Sequence, residues 1–209
     1  MNGMKIALFG ITGGTGLQFG QQALAAGHQI TALVRDPARL TLAHEKLHVI
    51  AGNVLDPEAV LATVRGADAV VCSLGNTANN PEGVVTAGTQ QIIAAMKQAG
   101  VRRLLVVTSL GVGDSADQVP LAFKLIMKTA LRKVIADKET QETAVRHSGL
   151  DWTIIRPGGL TDGPLTGQYQ AGTEKSIRAG RIARADVAHF ILAVLEQSLF
   201  VGQAPAISG

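Results

Sequence analysis

The turn Gly10-Ile11-Thr12-Gly13-Gly14-Thr15-Gly16 constrains this chain most, because it follows the apolar run Lys5-Ile6-Ala7-Leu8-Phe9 without a gap and leads into a stretch of helical character. Strand, glycine turn and helix start follow one another directly. Backbone without Cβ atoms can approach a pyrophosphate closely, and the free amides and positive dipole end of the helix then meet its charge. The spacing is G-x-x-G-x-x-G, not the G-x-G-x-x-G of the general dinucleotide fingerprint. Its weight comes from context, since it opens a βαβ pattern at the head of a domain.

Apolar, β-branched runs at Ile6–Phe9, Ile30–Val34, Leu47–Ile50, Ala69–Cys72, Leu104–Val107 and Thr153–Ile155 alternate with amphipathic stretches. That alternation predicts an α/β fold: a doubly wound parallel sheet, Rossmann-like, with helices on both faces. Helices are expected at about Thr15–Ala26, Pro37–Ala43, Pro57–Val64, Pro81–Ala99 and Val119–His147, with stops at Gly27, Gly66, Gly100 and Gly149. Asp56-Pro57 and Asn80-Pro81 set a capping side chain before a proline suited to the first helical turn. Beyond Pro157 the pattern weakens to a Gly/Thr-rich stretch, a short strand near Gln168–Ala171 and a last helix from about Ala185 to Glu196. No linker, repeat or low-complexity run divides the 209 residues, so a single domain over 1–209 is expected, with a substrate-side portion from about residue 157.

Composition excludes several classes. A hydrophobic content of 46% with 17% charged residues rules out disorder, and no apolar stretch is long enough to span a bilayer or laid out as a signal peptide. A soluble, cytoplasmic chain with no membrane partner is expected. The charge of +3 and seven scattered aromatics give neither a basic face nor a stacking platform for nucleic acid. The five histidines show no ligand spacing, so no metal is implied, and Cys72 lies in an apolar run where a thiol acts as a small hydrophobe.

In such sheets the residues just after each strand face the ligand crevice. Arg35 follows the second strand, where a protein preferring NAD would carry an acid for the ribose 2′-hydroxyl; a guanidinium there favours a 2′-phosphate, and Arg39 can add a second donor. The expected cofactor is therefore NADP(H) in preference to NAD(H), the alternative being that Asp36 takes the ribose. Asn53 and Val54 follow the third strand, beside the adenine. Ser73, Leu74 and Gly75 follow the fourth, under the nicotinamide ribose. Thr108 and Ser109 follow the fifth, at the nicotinamide end. Lys138 and Glu142 lie one helical turn apart, either as a surface ion pair or as a functional lysine with its orienting partner. Lys124, Lys128 and Arg132 recur every four residues as a cationic stripe, either a solvated face or a border of the site that attracts anionic substrates.

These segments, with Leu33-Val34-Arg35-Asp36-Pro37, Val107-Thr108-Ser109, Ser148-Gly149-Leu150-Asp151-Trp152-Thr153, Arg156-Pro157-Gly158 and Arg184-Ala185-Asp186-Val187-Ala188, resemble the atypical short-chain dehydrogenase/reductases that carry an NAD(P)H-binding domain. Ala95-Met96-Lys97-Gln98-Ala99-Gly100-Val101 and Asp162-Gly163-Pro164-Leu165-Thr166-Gly167-Gln168-Tyr169 resemble the biliverdin reductase B/flavin reductase branch in particular. The resemblance implies cofactor contacts from Gly10, Thr12, Gly13, Gly14, Thr15, Gly16, Arg35, Lys138, Pro157 and Gly158, with Ser109 as the active-site serine beside Lys138. The chain departs from that branch in two places, Gly159 where a histidine is usual and Asn53 where an aspartate is common.

The Tyr-x-x-x-Lys acid of typical short-chain dehydrogenases is missing: Val134 stands four residues before Lys138, and Tyr169 is the sole tyrosine. Hydride addition to an isolated ketone makes a basic alkoxide that needs a positioned acid. A flavin or tetrapyrrole spreads that charge over its rings. The expected function is thus NADPH-dependent reduction of a small planar acceptor, anionic if the stripe borders the site: a flavin, biliverdin or a quinone-like molecule. The expected assembly is a monomer or weak homo-oligomer. The alternative is a non-catalytic NADP sensor resembling NmrA-like regulators, and a carbonyl reductase or epimerase would need Tyr169 to reach Ser109.

Overall fold

In the computed structural model the apolar runs assemble into one mostly parallel sheet with helices on both faces. The structure describes residues 3–76 and 83–209, leaving aside the side chains at positions 122, 123 and 128. Strands β1 (Lys5–Phe9), β2 (Gln29–Val34), β3 (Leu47–Ala51), β4 (Ala69–Cys72), β5 (Arg103–Val107) and β6 (Asp151–Pro157) lie parallel in the order β3-β2-β1-β4-β5-β6. Strand order reverses between β1 and β4, the switch point at which doubly wound sheets open a ligand crevice.

Helices α1 (Gly14–Ala25), α2 (Pro57–Val64), α3 (Val84–Ala99), α4 (Leu121–Lys128) and α5 (Arg132–Arg146) lie between the strands, and α6 (Arg184–Glu196) returns to pack on α1. Alternation along each strand splits the core into two layers. Ile6 and Leu8 join Phe19 of α1 and Val187 and Ile191 of α6 on one face. Ala7 and Phe9 join Ile92 and Met96 of α3 and Val145 of α5 on the other. All of β4 is buried, as befits a central parallel strand. Burial pushes the Cys72 thiol pKa up, consistent with an inert packing role. No helix of the described residues is long and apolar enough to cross a membrane.

Two predicted helices differ from what the chain forms. The helix expected at Pro37–Ala43 is a 3-10 turn over Pro37–Arg39, after which Leu40 is extended (φ −86, ψ 112). An extended chain lets Leu40 and Leu42 both pack against the α1 side of the core. The helix expected at Val119–His147 is broken between α4 and α5. The Thr129 hydroxyl and amide donate to the Leu125 carbonyl at 2.9 and 3.1 Å and the Leu131 amide to that of Ile126 at 3.1 Å, which closes α4 at a stop that no Gly or Pro marks. A 3-10 turn at Gly113–Gln118 precedes it. Helix α3 begins at Val84 after Gly83, and the start expected at Asn80-Pro81 lies outside the described residues.

After Pro157 the chain holds more sheet than its sequence suggests. Strand β7 (Gly159–Thr161) pairs with β9 (Arg181–Ala183), while β10 (Ala206–Ser208) extends the main sheet parallel to β6 and carries β8 (Gln170–Gly172) antiparallel. Asp186 of α6 pins the intervening loop, accepting the amides of Thr166 and Gly167 at 2.8 Å each.

Candidate active site

The carboxyl ends of the parallel strands enclose a cleft of about 890 Å³. At its β1 end the wall is main chain. Gly10 has φ +91, and a Cβ there would lie 2.6 Å from the Ser73 carbonyl oxygen. Ser73 Oγ donates to the Phe9 carbonyl at 3.1 Å and so ties β4 to the turn. Gly13 caps α1 without any side-chain hydrogen bond, and the first turn holds no acidic residue. The helix start is thus left to accept an anion. Thr12, Gly13, Gly14 and Thr15 line the cleft, but Gly16 does not. A Cβ at Gly16 would collide with the Gly10 carbonyl, so this glycine permits close packing of helix on strand and is corrected from a lining residue to a packing one.

Arg35 and Arg39 are both exposed on the rim beyond β2. Asp36 lines the same rim, and its Oδ1 accepts the Ala38 amide at 3.2 Å and caps the 3-10 turn. Asn53 is likewise engaged, its Oδ1 accepting the Leu55 amide at 3.0 Å, while Val54 and Leu74 present apolar surface to the cleft. Asp56 caps α2 as predicted, accepting the Glu58 amide at 3.0 Å.

At the β5 end the wall is made by side chains. Thr108 Oγ1 donates to Glu142 Oε1 at 2.7 Å, and Lys138 Nζ donates to the Thr108 carbonyl at 3.1 Å. Glu142 and Arg156 are each 3% exposed; Arg156 Nε and Nη2 donate to the two carboxylate oxygens at 3.0 and 2.5 Å. The expected Lys138–Glu142 partnership is therefore corrected. One turn apart on α5, the two side chains grip the same Thr108, and the carboxylate takes Arg156 as its ionic partner. Burial lowers the Lys138 pKa, offset in part by the nearby acidic groups.

Ser109, Gly75, Pro157 and Gly158 also line this end, with the Ser109 hydroxyl donating to the Leu110 carbonyl at 3.2 Å. Asn76 Nδ2 donates to Asp137 at 3.1 Å, and Thr86 of α3 donates to the same carboxylate through both amide and hydroxyl, which braces α5 against α3.

Several lining residues are ones to which the sequence assigns no cofactor or substrate contact. Leu131, Val134 and Leu160 make an apolar wall beyond Ser109, recognisable only once α5 and β7 are placed. Arg184 also lines the cleft, its stem lying over Gly14 while its guanidinium donates to Asp162 at 2.6 Å. The continuous cationic stripe is corrected, because Arg132 belongs to α5 across the break and Lys124 pairs with Asp117 at 2.9 Å; the Lys128 side chain lies outside the described set. Tyr169 does not reach Ser109. Its hydroxyl meets His189 Nδ1 at 2.8 Å, and its ring packs edge-on against Phe190 of α6.

Residues 10–198 match a family model described as NAD(P)H-binding. An uncharacterised chloroplastic protein of Arabidopsis thaliana is 29% identical over 92% of this chain and 72% of its own length. A (4-alkanoyl-5-oxo-2,5-dihydrofuran-3-yl)methyl phosphate reductase of Streptomyces griseus is 28% identical over 98% of this chain and 67% of its own. Among solved structures, the anaerobillin reductase ChuY of Escherichia coli O157:H7 superposes with a TM-score of 0.84 at 29% identity, covering 98% of this chain and 96% of that one.

Proposed function

The chain belongs to the NAD(P)H-binding family, and from that premise we propose an NADPH-dependent reductase whose acceptor is a planar conjugated molecule: a flavin, a bilin or a quinone. The glycine turn fits such a cofactor, since Gly13 and Gly14 bring bare main chain to the cleft wall and no side chain caps the α1 start. When bound, NADPH supplies a hydride from its nicotinamide ring.

Arg35 and Arg39 hold the 2′-phosphate, favoured over a free ribose hydroxyl because two exposed guanidiniums stand on this rim to meet its charge. Arg184 stands over the same turn and adds a cation toward the diphosphate. Lys138, steadied on the Thr108 carbonyl, orients the nicotinamide ribose, and Ser109 offers a hydroxyl to the acceptor. Leu131, Val134 and Leu160 exclude water and give a flat ring its apolar bed.

Val134 carries the reading. It stands one turn before Lys138 and lines the cleft where a phenolic acid would be needed for an isolated carbonyl. Without that acid, an acceptor that spreads the incoming charge over its rings is favoured. The anaerobillin reductase among the relatives supports the same class. The test is a panel of FMN, riboflavin, biliverdin isomers, quinones and simple aldehydes with NADPH and with NADH. Oxidation of NADPH by planar acceptors and not by aldehydes is expected; comparable turnover of aldehydes would overturn the proposal, and binding with no turnover would favour the sensor.

A further inference from the structure

Arg184 stands where the helices around it disfavour a cation. It is the first residue of α6, and its stem crosses Gly14, the first residue of α1, with Cδ 2.6 Å from where a Cβ at Gly14 would lie. Neither helix start has a side-chain cap hydrogen bond, so both bring a positive dipole end close to this side chain. Asp186, the acidic residue in the first turn of α6, is occupied with the amides of Thr166 and Gly167 and with the Thr166 hydroxyl. The guanidinium meets Asp162 instead, just past β7, whose Oδ1 accepts from Nη1 at 2.6 Å. The Asp162 side chain is 88% exposed and that of Arg184 28%.

We propose that Asp162 is a built-in competitor of the cofactor: in the free chain its carboxylate takes the place on Arg184 of a diphosphate oxygen, and an incoming dinucleotide displaces it. The inference rests on the proposed reading of the cleft, in which Arg184 serves the diphosphate at the start of α1. A dinucleotide brings two negative charges to this point where Asp162 brings one, so the exchange runs toward the ligand. Release costs the chain little. An exposed ion pair is weak, and the segment that begins at Asp162 stays anchored at Thr166 and Gly167 by Asp186. Asp162 thus sets how tightly the dinucleotide is held without touching it.

The test is a double-variant cycle read by calorimetric titration with NADPH and with NADH. Asp162→Asn should tighten both cofactors alike, by about two- to fivefold, since the diphosphate is common to them. Arg184→Gln should weaken both by about tenfold, and in that background Asp162→Asn should add nothing. Asp162 is exposed, so circular dichroism of its variant should match that of the parent. A gain that persists in the Arg184→Gln background would reveal a general field effect and overturn the competition. Weaker binding by Asp162→Asn would overturn it as well, by showing that the carboxylate aims the guanidinium at the ligand. A parent that binds neither cofactor overturns the reading of the cleft and this inference with it, whereas a parent that binds and an Asp162→Asn variant that binds no better overturn the inference alone.

Discussion

At the end of β1 the cleft wall is backbone, shaped by a glycine in a conformation that side chains rarely adopt and by a helix start that no side chain caps. At the end of β5 the wall residues Thr108 and Lys138 rest on a buried polar set in which Glu142 and Arg156 join α5 to β6. The first is specified by residues a few positions apart in sequence. The second exists only after distant elements have met, and each of its members depends on the others, since a buried charge deprived of its partner is costly.

The largest effect should come from splitting the second set. Arg156→Met leaves the Glu142 carboxylate buried without its bidentate partner and should destabilise the fold by about 3–5 kcal/mol in urea unfolding, whereas adding Glu142→Met should restore much of that loss. A double variant no more stable than the single one would show that the two ends do not differ in this way. At the other end, Gly10→Ala places a methyl 2.6 Å from the Ser73 carbonyl at φ +91. Strain of about 1–3 kcal/mol is expected, and fluorescence titration should show NADPH affinity weakened by about tenfold or more.

These two substitutions also mark what could be read from sequence. Strand positions, the glycine turn, Arg35 and the Asp56 cap follow from local chemistry, and the structure places each within a residue or two of expectation. The α4–α5 break, the extended Leu40–Leu42 segment and strands β7, β9 and β10 follow from tertiary packing that no short-range pattern encodes. Lys138 was legible as a candidate but its partner was not, because spacing on α5 pointed to Glu142 while the fold brought Arg156 from β6 to that carboxylate.

A loss of similar size, confined to one cofactor, should come from Arg35→Glu, which on the proposed reading removes a charge-assisted contact to the 2′-phosphate. NADPH affinity should fall by about 1.5–3 kcal/mol with NADH affinity little changed, and a parallel loss for both cofactors would detach Arg35 from the phosphate. Lys138→Met sharpens the β5 end through pH. Burial holds the folded pKa below the ordinary 10.5, so between the lowered value and 10.5 the unfolded chain keeps a proton that the folded chain has lost, and stability rises with pH across that window. Burial raises the Cys72 and Tyr169 pKa values and pulls stability the other way in this range, so urea unfolding over an alkaline pH series should show the parent gaining stability with pH relative to the variant. The smallest change is expected from Asp56→Ala, about 1 kcal/mol from loss of the α2 cap, with NADPH affinity unaltered.

Calorimetric titration of the purified chain with NADPH and NADH tests the central claim most directly. Saturable binding of both is expected, NADPH tighter by about tenfold or more through the guanidiniums beyond β2. Heat from neither cofactor, or equal affinity for the two, would contradict the assignment of this cleft to a phosphorylated pyridine dinucleotide.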